Sequence, residues 1–456
     1  MTDDQEGKNR SSTAQAGAPQ GLAGEDQFVP ARQAAQLLGV KRSTLYAYTS
    51  RGLVQSVSSD EGRKRLYRRS DLERLRARRD ARAGHGAVAA SALRFGEPVL
   101  DSSITSISRE EGPSYRGQPA ASLAAAGCSF ESVAEILWSA PDGFAQDPGL
   151  AGNWMIEGLG VSHESLSALL PEPAPPPLAA LALLVPALAI RDPGRFTEVT
   201  DRVASRGRHL IRRMAAGLSL VREIDQRGPA LDSALAAPSV ASAIAQALGA
   251  RGGEAAVAAL DRALVLGADH ELNASTFAAR VAASTGADVY GGVAAALACL
   301  SGPRHGGASD RVEALLAEIR EPEDAERVVF ARQRRGEAID GFRHPLYPDG
   351  DPRGAMLIEM ARELDTEGHS VRTFLALVDA MERAGAGRPN IDAGLVGLSL
   401  ALQLPTGAAA GLFAIARSAG WVAHMLEQYQ AGYLVRPRAR YRPGFDKAHG
   451  MEEVGA

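Results

Sequence analysis

Apolar residues recur every three or four positions through most of the chain beyond residue 177, in segments that glycine and proline interrupt. This spacing is typical of helices that bury one face, and alanine and leucine occupy most of the apolar positions. Alternation of apolar and polar residues, which predicts strands, is found in short stretches around Ile104 and Ile107. The pattern therefore predicts a mainly α protein in which strands are a minor component.

Two short helices are predicted near the N-terminus. Apolar residues at helical spacing run from Ala31 to Leu38 and end at Gly39, and a second helix is expected to begin near Ser43, which is placed to cap it. This is a helix-turn-helix pattern, whose second helix enters the major groove of DNA. The residues expected on its DNA-facing side are Lys41, Arg42, Ser43, Thr44 and Tyr46.

A basic segment follows the two helices, with the sequence GRKRLYRRSDLERLRARRDAR. It predicts a basic wing and then a helix that begins near Ser70. Over about residues 27 to 82 the chain resembles the DNA-binding headpiece of the MerR and excisionase-like families. Side chains able to neutralise phosphates are Arg63, Lys64, Arg65, Arg68 and Arg69. A solvated basic helix, or one docked on an acidic neighbour, is the alternative; the joint occurrence of the two patterns favours DNA binding.

The length of 456 residues and the apolar content of 45% indicate two or three units with substantial cores. Aromatic residues make up only 5%, which favours closely packed, alanine-rich helices. The two cysteines, Cys128 and Cys299, lie in apolar surroundings far apart in the sequence. This arrangement is typical of reduced core thiols, and no spacing of metal ligands occurs.

The first 26 residues are polar and lack the apolar segment of a signal peptide, so a disordered tail and a cytoplasmic location are expected. The most apolar run, residues 175–190, contains Pro186 and is too short for a comfortable membrane span. We expect a buried helix there and no membrane association. The net charge of −4 conceals a concentration of arginines between Arg63 and Arg82.

Four segments place a polar side chain among glycine, proline or asparagine: ADHELNASTFAAR at 268–280, SGPRHGGAS at 301–309, GFRHPLYPDGDPR at 341–353 and RPNIDAG at 388–394. In the second segment, His305 is expected at a loop-to-helix junction, beside unpaired backbone amides. A single histidine of this kind is more often structural than catalytic. The presence of all four segments favours a catalytic site.

The region from about residue 93 to residue 440 resembles citrate synthase, the enzyme that joins acetyl-CoA to oxaloacetate. The resemblance is carried by DHELNAST, GPRHGGAS, GFRHPLYPDGDPR, PNID, LFAIARSAGWVAH and LVRPRARY, with YRG at 115–117 and SFESVAEILW at 129–138. It implies the citrate synthase fold, with large and small helical domains, here preceded by a small winged helix-turn-helix domain. It also implies an acyltransferase that uses acetyl-CoA as a substrate and needs no cofactor or metal.

Forming a carbon–carbon bond from a thioester requires a base for a weakly acidic methyl proton and a donor to the carbonyl oxygen. The resemblance assigns the base to Asp392, whose basicity partial desolvation would raise. It assigns the donor to His305, oriented by Ser275 and kept neutral at a helix N-terminus. His344 is then expected to protonate the oxygen of the attacked keto carbon.

The two carboxylates of oxaloacetate require guanidinium groups, which pair with them in a bidentate manner. By the resemblance, the substrate-binding residues are His270, Arg353, Arg417 and Arg436, the supporting residues are Ser275, Asn273 and Phe413, and possible CoA-binding residues are Gly306, Gly307 and Arg343. The resemblance also implies that Arg436 reaches the active site of the other subunit. A homodimer is therefore expected, with the alanine-rich segments at 179–189 and 236–250 as interface candidates.

The expected domain division has six parts. A disordered tail covers residues 1–26, the helix-turn-helix domain 27–82 and a linker 83–92. The large domain comprises 93–307 and 399–440, the small domain comprises 308–398, and a C-terminal tail covers 441–456. In the family the small domain closes over the substrates, which excludes water during bond formation.

Two departures from the family pattern bear on acyl-CoA binding. Arg343 stands where the family has a small residue, and the usual cation after His344 is missing, so Arg343 is a candidate to replace it. Ala393 and Gly394 stand where the family has an aromatic residue and a serine after Asp392. Smaller side chains there would admit propionyl-CoA.

Three functions are therefore open. The first is a citrate synthase, and the second is a 2-methylcitrate synthase that uses propionyl-CoA. The third is a DNA-binding regulator whose synthase-like domain senses oxaloacetate, citrate or CoA. Retention of His305, His344 and Asp392 favours catalysis, because a sensor needs no acid-base groups.

Overall fold

A computed structural model of the chain describes residues 28–38, 40–50, 53–58, 65–69, 71–72, 100–139, 154–171, 173–196, 200–365 and 367–437. The chain divides into two compact units, an N-terminal unit and a larger unit, Asp101–Val435. The tails and the linker expected at 1–26, 83–92 and 441–456 lie outside the described residues, as do Arg63 and Lys64.

Within the described residues, the N-terminal unit contains two helices of assigned extent and a three-stranded antiparallel sheet, and residues 69, 71 and 72, where a helix was expected, are also helical. Its elements are β1 (Phe28–Pro30), α1 (Ala31–Leu38), α2 (Arg42–Ser50), β2 (Ser56–Ser58) and β3 (Arg65–Arg68), and β3 is the central strand of the sheet. Ala34, Leu38, Leu45 and Tyr67 are buried between the helices and the sheet. Helix α2 begins at Arg42, one position before Ser43, near which its start was expected, and the amides of Thr44 and Leu45 donate to the Lys41 carbonyl.

The larger unit begins with a second three-stranded antiparallel sheet and continues almost entirely in helices. The strands are β4 (Thr105–Ser108), β5 (Gly112–Tyr115) and β6 (Gln118–Pro119), in the order β4-β5-β6. The helices are α3 (Ala120–Ala125), α4 (Phe130–Trp138), α5 (His163–Ser167), α6 (Pro177–Arg191), α7 (Thr200–Gly217), α8 (Ile224–Ala236), α9 (Val240–Leu248), α10 (Gly253–Gly267), α11 (Ala274–Ser284), α12 (Val289–Leu300), α13 (Gly307–Glu318), α14 (Ala325–Arg335), α15 (Pro352–Leu364), α16 (His369–Arg383), α17 (Ile391–Ala401) and α18 (Ala408–Ala431). Short 3-10 turns at Leu218–Val221 and Pro322–Asp324 precede α8 and α14.

Side-chain caps determine where three of these helices begin. The Oδ1 atom of Asn273 accepts from the Thr276 amide at the start of α11, and Asp351 accepts from the Arg353 amide at the start of α15. Asn390 accepts from the amides at the start of α17. Each cap satisfies a backbone donor that the helix itself leaves unpaired. Residues 275, 353 and 392, all expected in the site, consequently lie in the first turns of these helices.

Buried apolar residues form two principal clusters in the larger unit. The main cluster surrounds α18, whose 24 residues include Trp421 and Arg417. A second cluster joins α13, α14, α15, α16 and the start of α17, from Leu315 to Ala393. Helix α18 is the one described helix long and apolar enough to cross a membrane by length and composition, and its apolar stretch is fully buried inside the unit.

The two segments expected at a subunit interface differ in exposure. Along α6, the apolar side chains of Ala179, Ala182 and Ile190 are exposed, together with Pro186. In the other segment, the apolar side chains of α9 are buried against the chain's own helices. Only α6 therefore offers an apolar face of the kind that a subunit interface covers. Both cysteines are free and half-buried rather than core residues.

Candidate active site

His305 lies at the junction where α13 begins, as expected. Its Nε2 atom is 2.8 Å from the Ser275 hydroxyl oxygen, and the Ser275 amide, one of the unpaired donors at the start of α11, donates to Nε2 at 3.3 Å. Because Nε2 accepts a hydrogen bond, a neutral ring carries its hydrogen on Nδ1. Burial, and then the positive charge of Arg417, lower the pKa of His305 to about 4. At neutral pH the ring is an uncharged donor.

Ser275 is itself held by two neighbours. Its hydroxyl oxygen lies 2.9 Å from Asn273 Oδ1 and accepts from the indole N–H of Trp421 at 3.3 Å. The ring of Phe413 stands edge-on to His305, with 6.5 Å between the ring centroids and 86° between the planes. The predicted supporting residues Asn273, Ser275 and Phe413 therefore surround the imidazole of His305 and restrict its orientation.

Asp392 lies in the first turn of α17, and its carboxylate accepts a hydrogen bond from the Ser309 hydroxyl at 3.0 Å. Ser309 lies in the first turn of α13, four positions after His305. Its bond to Asp392 therefore joins the segment of the expected donor to the segment of the expected base. Burial raises the pKa of Asp392 to about 6, and the Ser309 hydrogen bond opposes that rise. The carboxylate is therefore ionised at pH 7 and is a stronger base than an ordinary aspartate.

His344 and His270 lie together, with 5.3 Å between their ring centroids. The Leu346 amide donates to His344 Nδ1 at 3.2 Å, so the neutral ring of His344 carries its hydrogen on Nε2. Burial and then the charge of Arg353 lower the pKa of His344 to about 4. His270 Nε2 is 2.6 Å from the hydroxyl oxygen of Tyr347.

Arg353 is 2% exposed and forms a bidentate ion pair with Asp351, at 2.9 Å from Nε and 2.8 Å from Nη2. Asp351 also accepts from the Ile391 amide at 3.2 Å. The carboxylate of Asp351 thus fixes the guanidinium and ties α15 to α17. One edge of the Arg353 guanidinium, Nε and Nη2, is therefore occupied by the carboxylate of Asp351.

Arg417 is 1% exposed on α18, and its Nε donates to the Gly267 carbonyl at 2.9 Å. Its guanidinium lies 4.7 Å from the centroid of the Phe413 ring. Its Nη1 atom is buried without a hydrogen-bond partner among the described residues. A buried cationic donor without a partner is costly, and an anionic ligand would remove that cost.

Arg343 is exposed, and its side chain bonds to the turn that follows α16. Its Nε donates to the Ala386 carbonyl at 2.7 Å, and its amide donates to the Arg388 carbonyl at 2.8 Å. Its φ of 86° lies in the left-handed region, where glycine has no steric penalty and arginine does. The guanidinium braces the turn after α16, which offsets the strain immediately before His344.

We expect Arg343→Ala to be less stable than both the wild type and Arg343→Gly. The alanine keeps the left-handed backbone strain and loses the guanidinium bonds, whereas the glycine loses the bonds but relieves the strain. The difference between the two variants should be about 1 kcal/mol in the free energy of unfolding, measured by urea titration. An alanine variant as stable as the glycine variant would show that the backbone here is unstrained.

The remaining residues expected in the site are Gly306, Gly307 and Arg436. A Cβ atom at Gly306 would clash with the Leu300 carbonyl oxygen, so packing alone requires a glycine there. Gly307 is the first residue of α13. Arg436 is exposed in the segment that follows α18.

The two small residues after Asp392, Ala393 and Gly394, are closely packed against neighbouring helices. Ala393 is fully buried in the second cluster, and a Cβ atom at Gly394 would lie 2.8 Å from Leu357 Cβ on α15. The small residues allow α15 and α17 to approach closely. The expectation that they admit propionyl-CoA stays a prediction.

Sequence reasoning missed Ser309, Tyr347 and Asp351. Asp351 precedes Pro352, and an aspartate followed by proline is a recognised signal for a helix N-terminus, so the sequence contained a usable indication for it. Ser309 and Tyr347 carry no such signal. Their roles depend on side chains distant in the sequence.

Three of the residues expected on the DNA-facing side lie at the surface of the headpiece. Lys41, Arg42 and Tyr46 are exposed at the N-terminal part of α2, and Thr44 is half-buried. Arg65 is exposed on β3.

A helical unit that places neutral imidazoles, a basic carboxylate and buried guanidinium groups in one region has the features of an acid-base enzyme acting on anions. The family model described as citrate synthase, C-terminal domain, matches residues 94–438, and a helix-turn-helix domain model matches residues 31–80. The chain belongs to the citrate synthase family.

Individual relatives agree with this assignment. The citrate synthase of Haloferax volcanii is 31% identical over 69% of the chain and 85% of its own length. The 2-methylcitrate synthase 1 of Corynebacterium glutamicum is 30% identical over 80% of the chain and 97% of its own length. Citrate synthase 2 of Bacillus subtilis is 41% identical, but the match spans only 41% of the chain and 50% of that relative.

Solved structures resemble the fold over most of the chain. A Pyrobaculum aerophilum citrate synthase matches with a TM-score of 0.62 and 26% identity, over 76% of this chain and 91% of that one. A Thermoplasma acidophilum citrate synthase, in complex with carboxymethyl coenzyme A and oxaloacetate, matches with a TM-score of 0.66 over 80% and 98%; at 24% identity it supports the fold alone. The predicted mainly α fold of this family, preceded by a helix-turn-helix domain, is confirmed.

Proposed function

We propose that the protein condenses acetyl-CoA with oxaloacetate to give citrate and CoA. The observation that carries the proposal is the Asp392 carboxylate, whose pKa is about 6 and which is linked through Ser309 to the helix that follows a neutral His305. A carboxylate of raised basicity beside an uncharged donor is the pair that enolisation of a thioester requires.

Each step of the proposed reaction uses one of these groups. Asp392 removes a methyl proton from acetyl-CoA, while the Nδ1–H of His305 donates to the thioester carbonyl oxygen. The enol carbon then attacks the keto carbon of oxaloacetate, and the Nε2–H of His344 gives its proton to the new alkoxide. Water hydrolyses the resulting citryl thioester, which releases citrate and the CoA thiol.

The proposed oxaloacetate subsite consists of His270, Arg353 and Arg417, with Arg436 contributed by the other subunit of a homodimer. The unpartnered Nη1 of Arg417 supports this placement, because a substrate carboxylate would supply the missing acceptor. The exposed position of Arg436 is compatible with a contact to a second chain. Gly306 and Gly307 are proposed to approach CoA through their backbone.

Release of the CoA thiol from acetyl-CoA, measured with and without oxaloacetate, tests the proposal. We expect release that depends on oxaloacetate and is faster with acetyl-CoA than with propionyl-CoA. Faster turnover of propionyl-CoA would instead assign the protein as a 2-methylcitrate synthase, the activity named for the Corynebacterium relative. Absence of release with either substrate would favour a regulator that only binds these metabolites.

We further propose that the headpiece binds DNA. Among the described residues between 28 and 72, the cations Arg32, Lys41, Arg42, Arg65 and Arg69 are exposed, whereas the one described acid, Asp71, is 8% exposed and accepts from the Gln55 amide. This excess of exposed positive charge supports contact with phosphates.

The affinity of the full-length protein for a random-sequence duplex should fall by about tenfold or more when salt rises from about 50 mM to about 200 mM. Lys41→Ala should weaken binding and reduce the salt dependence, as gel-shift titration would measure. Arg32→Ala, an exposed cation on α1, is the matched control and should have a smaller effect. Equal effects of the two variants would argue against α2 as the contact.

A further inference from the structure

The side chain of Tyr347 contacts two residues of the proposed oxaloacetate subsite, His270 and Arg353, and the proposed acid His344. It is 1% exposed, and its hydroxyl oxygen lies 2.6 Å from His270 Nε2. Its ring packs on His344, with 4.8 Å between the centroids and 30° between the planes. The Arg353 guanidinium lies 5.4 Å from the centre of the same ring. No role in the proposed reaction has so far been given to this residue.

The contact between His270 and Tyr347 determines which ring nitrogen carries the hydrogen. Burial, and then the charges of Arg353 and Arg417, lower the pKa of His270 well below its usual value, so the ring is neutral. Because a phenol hydroxyl is a stronger hydrogen-bond donor than the N–H of a neutral imidazole, we assign the Tyr347 hydroxyl as the donor to Nε2, 2.6 Å away. The neutral ring then carries its hydrogen on Nδ1.

The hydroxyl of Tyr347 stays protonated at neutral pH and can therefore donate a hydrogen bond. Burial raises the pKa of Tyr347 to about 12, so the group keeps its hydrogen at neutral pH. The backbone of Tyr347 is held as well, since its amide donates to the His344 carbonyl at 3.0 Å and its carbonyl accepts from the Gly350 amide at 3.1 Å. The tyrosine is thus fixed to the same turn as His344 while its hydroxyl reaches His270 on another segment.

We infer that Tyr347 is a positioning residue of the oxaloacetate subsite: its hydroxyl selects the Nδ1–H tautomer and the orientation of His270, and its ring supports the face of His344. This inference rests on the proposed function. Without the hydroxyl, His270 populates both tautomers and more than one orientation. The apparent affinity for oxaloacetate then falls in proportion to the fraction of molecules with the competent arrangement.

Tyr347→Phe tests the inference, with Tyr290→Phe as the matched control. Tyr290 is also buried, and its hydroxyl donates to a titratable side chain, Asp192, at 3.1 Å. We expect Tyr347→Phe to raise KM for oxaloacetate by about tenfold, with a smaller change in kcat and none in KM for acetyl-CoA, because one neutral hydrogen bond is lost. The control should leave all three constants unchanged. Equal constants for Tyr347→Phe and the wild type would overturn the inference.

A second measurement separates this inference from the proposed function. The ¹⁵N chemical shifts of selectively labelled histidine, recorded on the full-length protein without substrate, report the tautomer of His270 directly; a His270→Gln spectrum assigns the signal. We expect the Nδ1–H form in the wild type and a mixture in Tyr347→Phe. An unchanged tautomer in the variant would overturn the inference whether or not the protein turns over acetyl-CoA.

Discussion

Asp392→Asn should reduce kcat by about a thousandfold while the protein remains folded, because an amide cannot accept the methyl proton of a thioester. The substitution preserves size and can still accept the Ser309 hydroxyl hydrogen bond. It also removes a buried negative charge whose pKa burial has raised, so a loss of stability is not expected. Thiol release and thermal unfolding, measured on the same preparation, distinguish a catalytic defect from misfolding.

The pH dependence of the wild type follows from the same group. A base acts only when ionised, so kcat/KM should rise with pH through a pKa near 6 and then level off. His305 and His344, with pKa values of about 4, remain neutral donors throughout this range. The low-pH limb of the profile is therefore assigned to Asp392.

Ser309→Ala is the matched test of that assignment. The hydroxyl lowers the pKa of Asp392, so its removal should shift the limb to higher pH without abolishing turnover. A limb that stays in place in Ser309→Ala, or an active Asp392→Asn enzyme, would exclude Asp392 as the base.

Arg417→Lys should raise KM for oxaloacetate by about a hundredfold, the second large effect that we expect. The lysine keeps the positive charge but lacks the planar pair of donors that a carboxylate binds. In Arg417, Nε donates to the Gly267 carbonyl while Nη1 has no partner in the part of the chain that the structure describes. A single lysine ammonium cannot occupy both positions. Initial rates over a range of oxaloacetate concentrations measure the change.

Arg212→Lys is the control for the general cost of replacing a buried arginine. Arg212 is fully buried and donates to the Ala234 and Ala237 carbonyls at the end of α8. The control should lower thermal stability to a similar extent but leave KM for oxaloacetate unchanged. If both variants change KM alike, or neither does, Arg417 does not bind the substrate.

The sequence was sufficient for the features that depend on local patterns. The helical spacing of apolar residues predicted the fold class, and the alternation near Ile104 and Ile107 predicted the strand β4. The two motifs of the headpiece predicted the helix-turn-helix domain that the family model also matches. Such features depend on neighbours within a few residues, which is why a single sequence contains them.

The tertiary structure alone determined the electrostatic state of the site and the residues that support it. The pKa values of His305 and Asp392 depend on burial by several helices, and the bonds of Ser309 to Asp392 and of Tyr347 to His270 join residues 83 and 77 positions apart. The close approach of Gly394 to Leu357 likewise joins residues 37 positions apart. Desolvation and contact between distant segments exist only after folding, so no local pattern encodes them.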